Sequence, residues 1–279
     1  RQLQQRGLKT ARSHQAAPGN TVRGSAKTTT NGASLRFGVP FTENDTVYLG
    51  GGVESLHIRE GSIALPTTWR LQVNNYGAKS TSVPLTVGWS RDTRDSALVP
   101  TRGLYQRVNG DWGIAGDIRY LRANYQVQQY IPLNKQFTIG LNGELGWGAG
   151  QNGQPFPVFK NSFSGGLGSV RGFEQGSLGP YESGTAIGGP KKITLNAELI
   201  APFPGAGNDR TLRMYGFIDA GNVFSESANY SFAELRASTG VGISWISPVG
   251  PLRLGFAKPL RKEAGDRIQT LQFQIGTAF

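Results

Sequence analysis

QFTIGLNGELGWG, residues 136–148, sorts its side chains by parity. Phe137, Ile139, Leu141, Leu145 and Trp147 fall on one side of an extended chain, and Gln136, Thr138, Asn142 and Glu144 on the other. Successive side chains of a strand point to opposite faces, so this spacing predicts a strand with one apolar face. The same alternation runs through Leu35, Phe37, Val39, Phe41; Val83, Leu85, Val87, Trp89; Leu121, Ala123, Tyr125, Val127; and Ile193, Leu195, Ala197, Leu199. It returns near the end in Val241, Ile243, Trp245; in Leu252, Leu254, Phe256; and in Leu271, Phe273, Ile275. About eleven such segments are present.

The polar faces decide between a soluble sandwich and a membrane barrel. They carry Gly, Ser, Thr, Asn and Gln rather than the Lys and Glu that coat a soluble surface, which fits a wet or plugged lumen with the apolar faces turned to lipid. Segments of about 9–13 residues also suit a tilted strand crossing roughly 25–30 Å of hydrocarbon. Composition agrees. Glycine supplies 40 of 279 residues, about twice average usage, and charged residues make up only 17%. No window approaches the 18 consecutive apolar residues of a spanning helix, so any membrane crossing is made by strands. The predicted fold is therefore all-β, an antiparallel transmembrane barrel.

Cysteine is absent, which excludes disulfide staples and thiolate metal sites. The chain opens RQLQQRGLKT without the apolar core of an export signal, and reads as a mature chain or a fragment. Net charge is +11, yet residues 1–32 hold six Lys/Arg and no acid. Those residues show no sustained period and read as a disordered basic tail. They lack aromatics for base stacking, so nucleic acid is not expected as a partner. The barrel domain is placed at 33–279, with an inserted loop at 149–191.

That loop is rich in Gly and Pro and contains Phe156, Phe159, Phe163 and Phe173, too apolar to stand in solvent. It is expected to pack into the lumen. Gly165-Gly166-Leu167-Gly168 lacks the Gly-Lys-Ser/Thr of a phosphate cradle. In the strand from Leu212 to Phe224, Leu212, Met214 and Ile218 take the lipid phase, so Arg213, Tyr215, Phe217 and Asp219 point inward. Glu198 points inward from its own strand. Two carboxylates facing a confined interior need a cation or water, and Arg171 on an inserted loop offers a bidentate partner. The competing reading leaves Asp219 and Glu198 solvated, as in a porin.

SVRGFEQGSLGP, residues 169–180, resembles the signature loop of the BamA family, the central subunit of the outer-membrane β-barrel assembly machinery. In that family a Val-Arg-Gly-Phe tetrad tips a loop folded back into the barrel; here it is Val170, Arg171, Gly172 and Phe173. GFIDAGNVF (216–224) is similar to the family's strand that receives the arginine, and WISPVGPLRLGFAKPL (245–260) to its penultimate hairpin. The final LQFQIGTAF sets Leu271, Phe273, Ile275 and Phe279 on one face and resembles the targeting pattern that ends outer-membrane barrels. Gly276 is expected to soften that last strand.

The resemblance implies a barrel of roughly sixteen strands, of which the last eleven are present, with the first five and the periplasmic POTRA domains missing. It implies an outer-membrane location and a role in folding and inserting other barrels. The first and last strands would meet in a weak lateral seam, where a client's strand adds to the exposed edge. Implied partners are unfolded β-barrel clients, accessory lipoproteins acting through the periplasmic domains, and outer-membrane lipid. No cofactor, metal or catalytic residue is expected: only His14, in the basic tail, and His57, at a strand end, are present, and neither is placed for a triad or a histidine metal site. A protein-conducting pore of the two-partner type and a passive porin are the alternatives.

Overall fold

The computed structural model describes residues 26–60, 65–205, 211–248 and 250–276. Eleven strands form one antiparallel sheet in which each pairs with the next along the chain. They are β1 (Ala26–Pro40), β2 (Asp45–Glu60), β3 (Lys79–Asp92), β4 (Gly103–Gly116), β5 (Tyr120–Pro132) and β6 (Thr138–Gly150), followed by β7 (Lys191–Pro202), β8 (Leu212–Phe224), β9 (Arg236–Ser247), β10 (Gly250–Arg261) and β11 (Leu271–Ile275). The count and the meander match the barrel read from the alternation. Among the described residues β1 and β11 do not pair, so the sheet is an open, partial barrel wall. Strands of 13 residues such as β5, β6 and β8, at roughly 3.3 Å per residue and tilted by ~40°, rise about 30 Å.

The apolar rows stand on the outside of this wall. Phe37, Val87, Leu141, Leu145, Leu195, Ile218, Val241 and Phe256 are all exposed. The other face receives the inserted loop. Ile193 departs from its row: it is buried with Phe224 and Leu235 and packed by Tyr230, because the segment 225–235 folds over the outer end of β7 and β8. Tyr230 fixes that cover by donating its hydroxyl proton to the Gly146 carbonyl (2.6 Å).

The strand boundary at Ala33 is corrected. Residues 26–32 continue β1, in register from Ala26 opposite Glu60 to Gly32 opposite Glu54. Thr28, Thr29 and Thr30 favour extended backbone, and Thr29 through Gly32 are exposed in succession. Where neither face is apolar, alternation is silent although the ladder continues. The basic tail at 1–25 lies outside the described residues.

A ten-residue helix, α1 (Thr67–Tyr76), joins β2 to β3 and was not foreseen in the sequence. It buries Trp69, Gln72 and Tyr76 against Leu56, Ile58, Tyr120, Phe156 and Val158. Gln72 Oε1 accepts the Val158 N–H (3.2 Å) and the Tyr76 hydroxyl donates to the Pro155 carbonyl (2.8 Å), which ties the helix to the inserted loop. Burial, with the Glu226 charge adding, pushes the Tyr76 phenol up to about 12. The opposed polarity of the two faces has a measurable consequence. Leu145→Arg, on the outer row near mid-strand, is expected to destabilise the folded protein in lipid vesicles by ~2–4 kcal/mol, and Gln126→Arg on the lumen face by much less. Urea unfolding followed by gel mobility checks this, and equal losses at the two sites would contradict the assignment of faces.

Candidate functional site

β7 and β8 bring four inward side chains to neighbouring positions. Their register sets Asn196 opposite Asp219 and Glu198 opposite Phe217. The inserted loop crosses this patch, and its Ser169–Phe173 stretch lies against it. Arg171 is 1% exposed and Asp219 0%. Arginine keeps its charge under any ordinary condition, so its burial requires partners on every side.

Those partners are present. Arg171 Nε and Nη2 donate to the two Asp219 carboxylate oxygens, each at 2.6 Å, and the Arg171 main-chain N–H adds a third bond to Asp219 at 3.0 Å. Nη1 donates to Glu198 Oε1 at 2.5 Å. The guanidinium lies over the Phe217 ring, 3.6 Å from its centroid, and 5.3 Å from that of Tyr215. A planar fork on a carboxylate, stacked on an aromatic face, is geometry that lysine cannot reproduce.

The structure thus brings together Arg171, Glu198, Phe217 and Asp219. Val170 and Phe173 are fully buried and pack with Leu178 in a small core within the loop itself. Gly172 adopts φ +88°, and a Cβ there would come within 3.2 Å of the Ala257 side chain, so the tetrad's third position is a turn pressed against the wall. On the wall, a Cβ at Gly240 would sit 2.7 Å from the Phe217 ring and 2.1 Å from the Phe256 carbonyl oxygen. Bare backbone there lets the ring under Arg171 lie against the neighbouring strand.

Phe273, Ile275 and Gly276 are not part of this cluster. Phe273 and Ile275 are 61% and 62% exposed on the outer face of β11. Gly276 follows the strand at φ +103° and donates its N–H to the Pro251 carbonyl (2.9 Å). Phe279 lies outside the described residues. Among the described residues no group of His, Cys, Asp and Glu is arranged to hold a metal ion.

Three participants escaped the reading of the sequence. Asn196 donates to Asp219 Oδ1 (2.8 Å) and to the Ser169 carbonyl (2.6 Å), joining wall, acid and loop. Arg253 on β10 donates to both oxygens of Glu198 (3.0 and 3.1 Å), so the cluster holds two arginines and two acids in balance. Gln272 on β11 bonds the main chain of Gly172 and Phe173. Inward parity marks Arg253 and Asn196 as candidates, but nothing local says which of many inward polar residues meets the loop.

Removing one member of a buried pair leaves the other charge uncompensated. Asp219→Ala is therefore expected to destabilise the seated loop by ~3–5 kcal/mol, and Arg171→Ala/Asp219→Ala together by clearly less than the sum of the two single changes. Arg171→Lys falls between wild type and Arg171→Ala. Limited proteolysis across 150–190 with urea titration measures the four variants beside wild type, and full additivity would show that the two residues do not act on each other.

Comparison with known proteins agrees with this geometry. The Omp85 superfamily domain matches residues 9–279. The outer membrane protein assembly factor BamA of Neisseria meningitidis is 38% identical over 292 aligned residues, covering 91% of this chain and 36% of that protein. The bovine sorting and assembly machinery component 50 homolog is 29% identical over 67% of this chain and 44% of its own length. The chain spans about a third of the length of the BamA relative. The crystal structure of BamA from Haemophilus ducreyi lacking POTRA domains 1–3 superposes with a TM-score of 0.82 at 29% identity, over 91% of this chain and 55% of that one. CdiB from Acinetobacter baumannii, at a TM-score of 0.57 and 13% identity over 89% of this chain and 41% of that one, shares the fold. A partial antiparallel barrel wall with an arginine loop seated against it, matched in sequence and in shape, places the chain in the Omp85 superfamily of outer-membrane proteins, with the BamA family as its likeness there.

Proposed function

We propose that this chain forms barrel wall of an outer-membrane protein assembly factor, which folds other β-barrel proteins and inserts them into the outer membrane. The reading is carried by the 38% identity to an outer membrane protein assembly factor over 91% of the chain. Its clients are unfolded outer-membrane β-barrels, and accessory lipoproteins cooperate through periplasmic domains. No covalent step is involved. The work is done by hydrogen-bonding edges and by a wall that faces lipid.

In this reading β11 lies at a lateral seam. It has five residues, and among the described residues it pairs only with β10, from Leu252 opposite Ile275 to Phe256 opposite Leu271. Its other edge presents N–H and C=O groups, which template an added strand. A client strand joins there by main-chain bonds while Leu271, Phe273 and Ile275 keep an apolar row toward the hydrocarbon. Arg171, Glu198, Phe217 and Asp219 serve by anchoring the loop, so that the lumen stays filled while the wall opens.

The test is reconstitution of the protein in liposomes with a urea-unfolded barrel client, following client folding by gel mobility. Client folding is expected to be at least several-fold faster than in empty liposomes, and Arg171→Ala is expected to remove most of that gain. Folding no faster than in empty liposomes, together with steady ion conductance in planar bilayers, would replace this proposal with a passive pore.

A further inference from the structure

The last strand has a second support, and it comes from the arginine loop. Gln272 is the buried inward residue of β11, 5% exposed, between the outward Leu271 and Phe273. Its side-chain amide bonds the loop twice: Oε1 accepts the Gly172 N–H (3.2 Å) and Nε2 donates to the Phe173 carbonyl (2.6 Å). A primary amide carries a donor and an acceptor, as a peptide group does, so Gln272 meets the tetrad's main chain as a neighbouring strand would. The same stretch of loop is paired on a further side. Ile268 lies opposite Phe173 and Gln269 opposite Gly172, and the Glu174 N–H reaches the Arg267 carbonyl at 2.8 Å. Arg267 also forms an ion pair with Glu174 (3.5 Å). The segment leading into β11 and the strand's inward side chain are therefore both fastened to the residues that follow Arg171.

We infer that Gln272 is a positioning residue, a latch through which the seating of the arginine loop sets the order of the last strand. Arg171 holds the loop to β7 and β8; Gln272 carries that hold across to β11, whose own ladder is only five residues long. With the latch closed, β11 stays in register with β10. When the loop lifts, the Gln272 amide loses both partners and the strand keeps only its ladder, so its order falls with the loop's. The significance for client insertion rests on the function proposed above; the coupling between loop and strand does not depend on it.

Hydrogen exchange of the reconstituted protein, read by mass spectrometry on peptides covering 271–276, tests the latch. Gln272→Leu keeps the side chain's approximate size and removes both bonds, and exchange across β11 is expected to quicken by about tenfold while β7 and β8 remain as in wild type. Combining it with Arg171→Ala is expected to add little to either change alone, because both release the same contact. Gln272→Glu supplies a second readout. Burial at this position, 5% exposed, raises a carboxyl, which can donate to the Phe173 carbonyl only when protonated, so β11 protection, corrected for intrinsic rates, is expected at pH 4 and lost at pH 8, with no such step in wild type. Unchanged β11 exchange in Gln272→Leu, or equal protection of Gln272→Glu at the two pH values, overturns the inference. A positive exchange result alongside failed client folding would leave the latch standing and remove the assembly reading.

Discussion

A buried guanidinium that must be surrounded organises this molecule. Arg171 is held by Asp219 through three bonds and by Glu198 through one, over the face of Phe217. Taking an ion pair out of water costs several kcal/mol per ion, and the attraction regained offsets this only when geometry is close to ideal and the remaining donors are satisfied. Its value is therefore positional more than energetic. A forty-residue insertion has many ways to collapse onto a polar wall, and the placement that sets Arg171 on β8 leaves neither its charge nor that of Asp219 stranded.

The wall is built to accept that placement. Its inner face has small residues where close approach is needed: Ala257 beside the loop's Gly172, and Gly240 beside the Phe217 ring that underlies Arg171. Its outer face is apolar and makes no claim on the loop. Strand parity thus does two things at once: it orients the wall in lipid, and it gathers Asn196, Glu198, Phe217 and Asp219 into one patch on two adjacent strands. Arg253, arriving from β10, shares Glu198 and balances the second acid.

How much of this was legible in the sequence follows from the range of each interaction. Period-two alternation is local, and it revealed most strands and the lipid face. Parity also placed Asp219, Phe217 and Glu198 inward, and the apolar content of residues 149–191 marked a loop that had to pack. Three kinds of feature stayed hidden. Residues 26–32 form strand without an apolar face, so no alternation marks them. Helix α1 has Pro66 at its N-cap, no side-chain cap bond and only ten residues, and it owes its existence to Trp69 and Tyr76 finding Ile118, Phe156 and Val158. Asn196 and Gln272 are ordinary inward amides until a segment roughly a hundred residues away in the case of Gln272, and 27 residues away in the case of Asn196, arrives to bond them.

The two ends of the arginine loop's contact are unequal, and the inequality has a direction. On β7 and β8 the loop is held by charges within ladders of 12 and 13 residues. On β11 it is held by neutral amide bonds beside a ladder of five. Neutral bonds exchange with water at small net cost, whereas a buried carboxylate stripped of its arginine does not. The contact with β11 is therefore the weaker of the two, and the charged anchor on β7 and β8 the stronger. Under the proposed function that inequality is the useful one: the strand that must change partners is the one held more weakly, while the loop is fixed to the longer-laddered part of the wall.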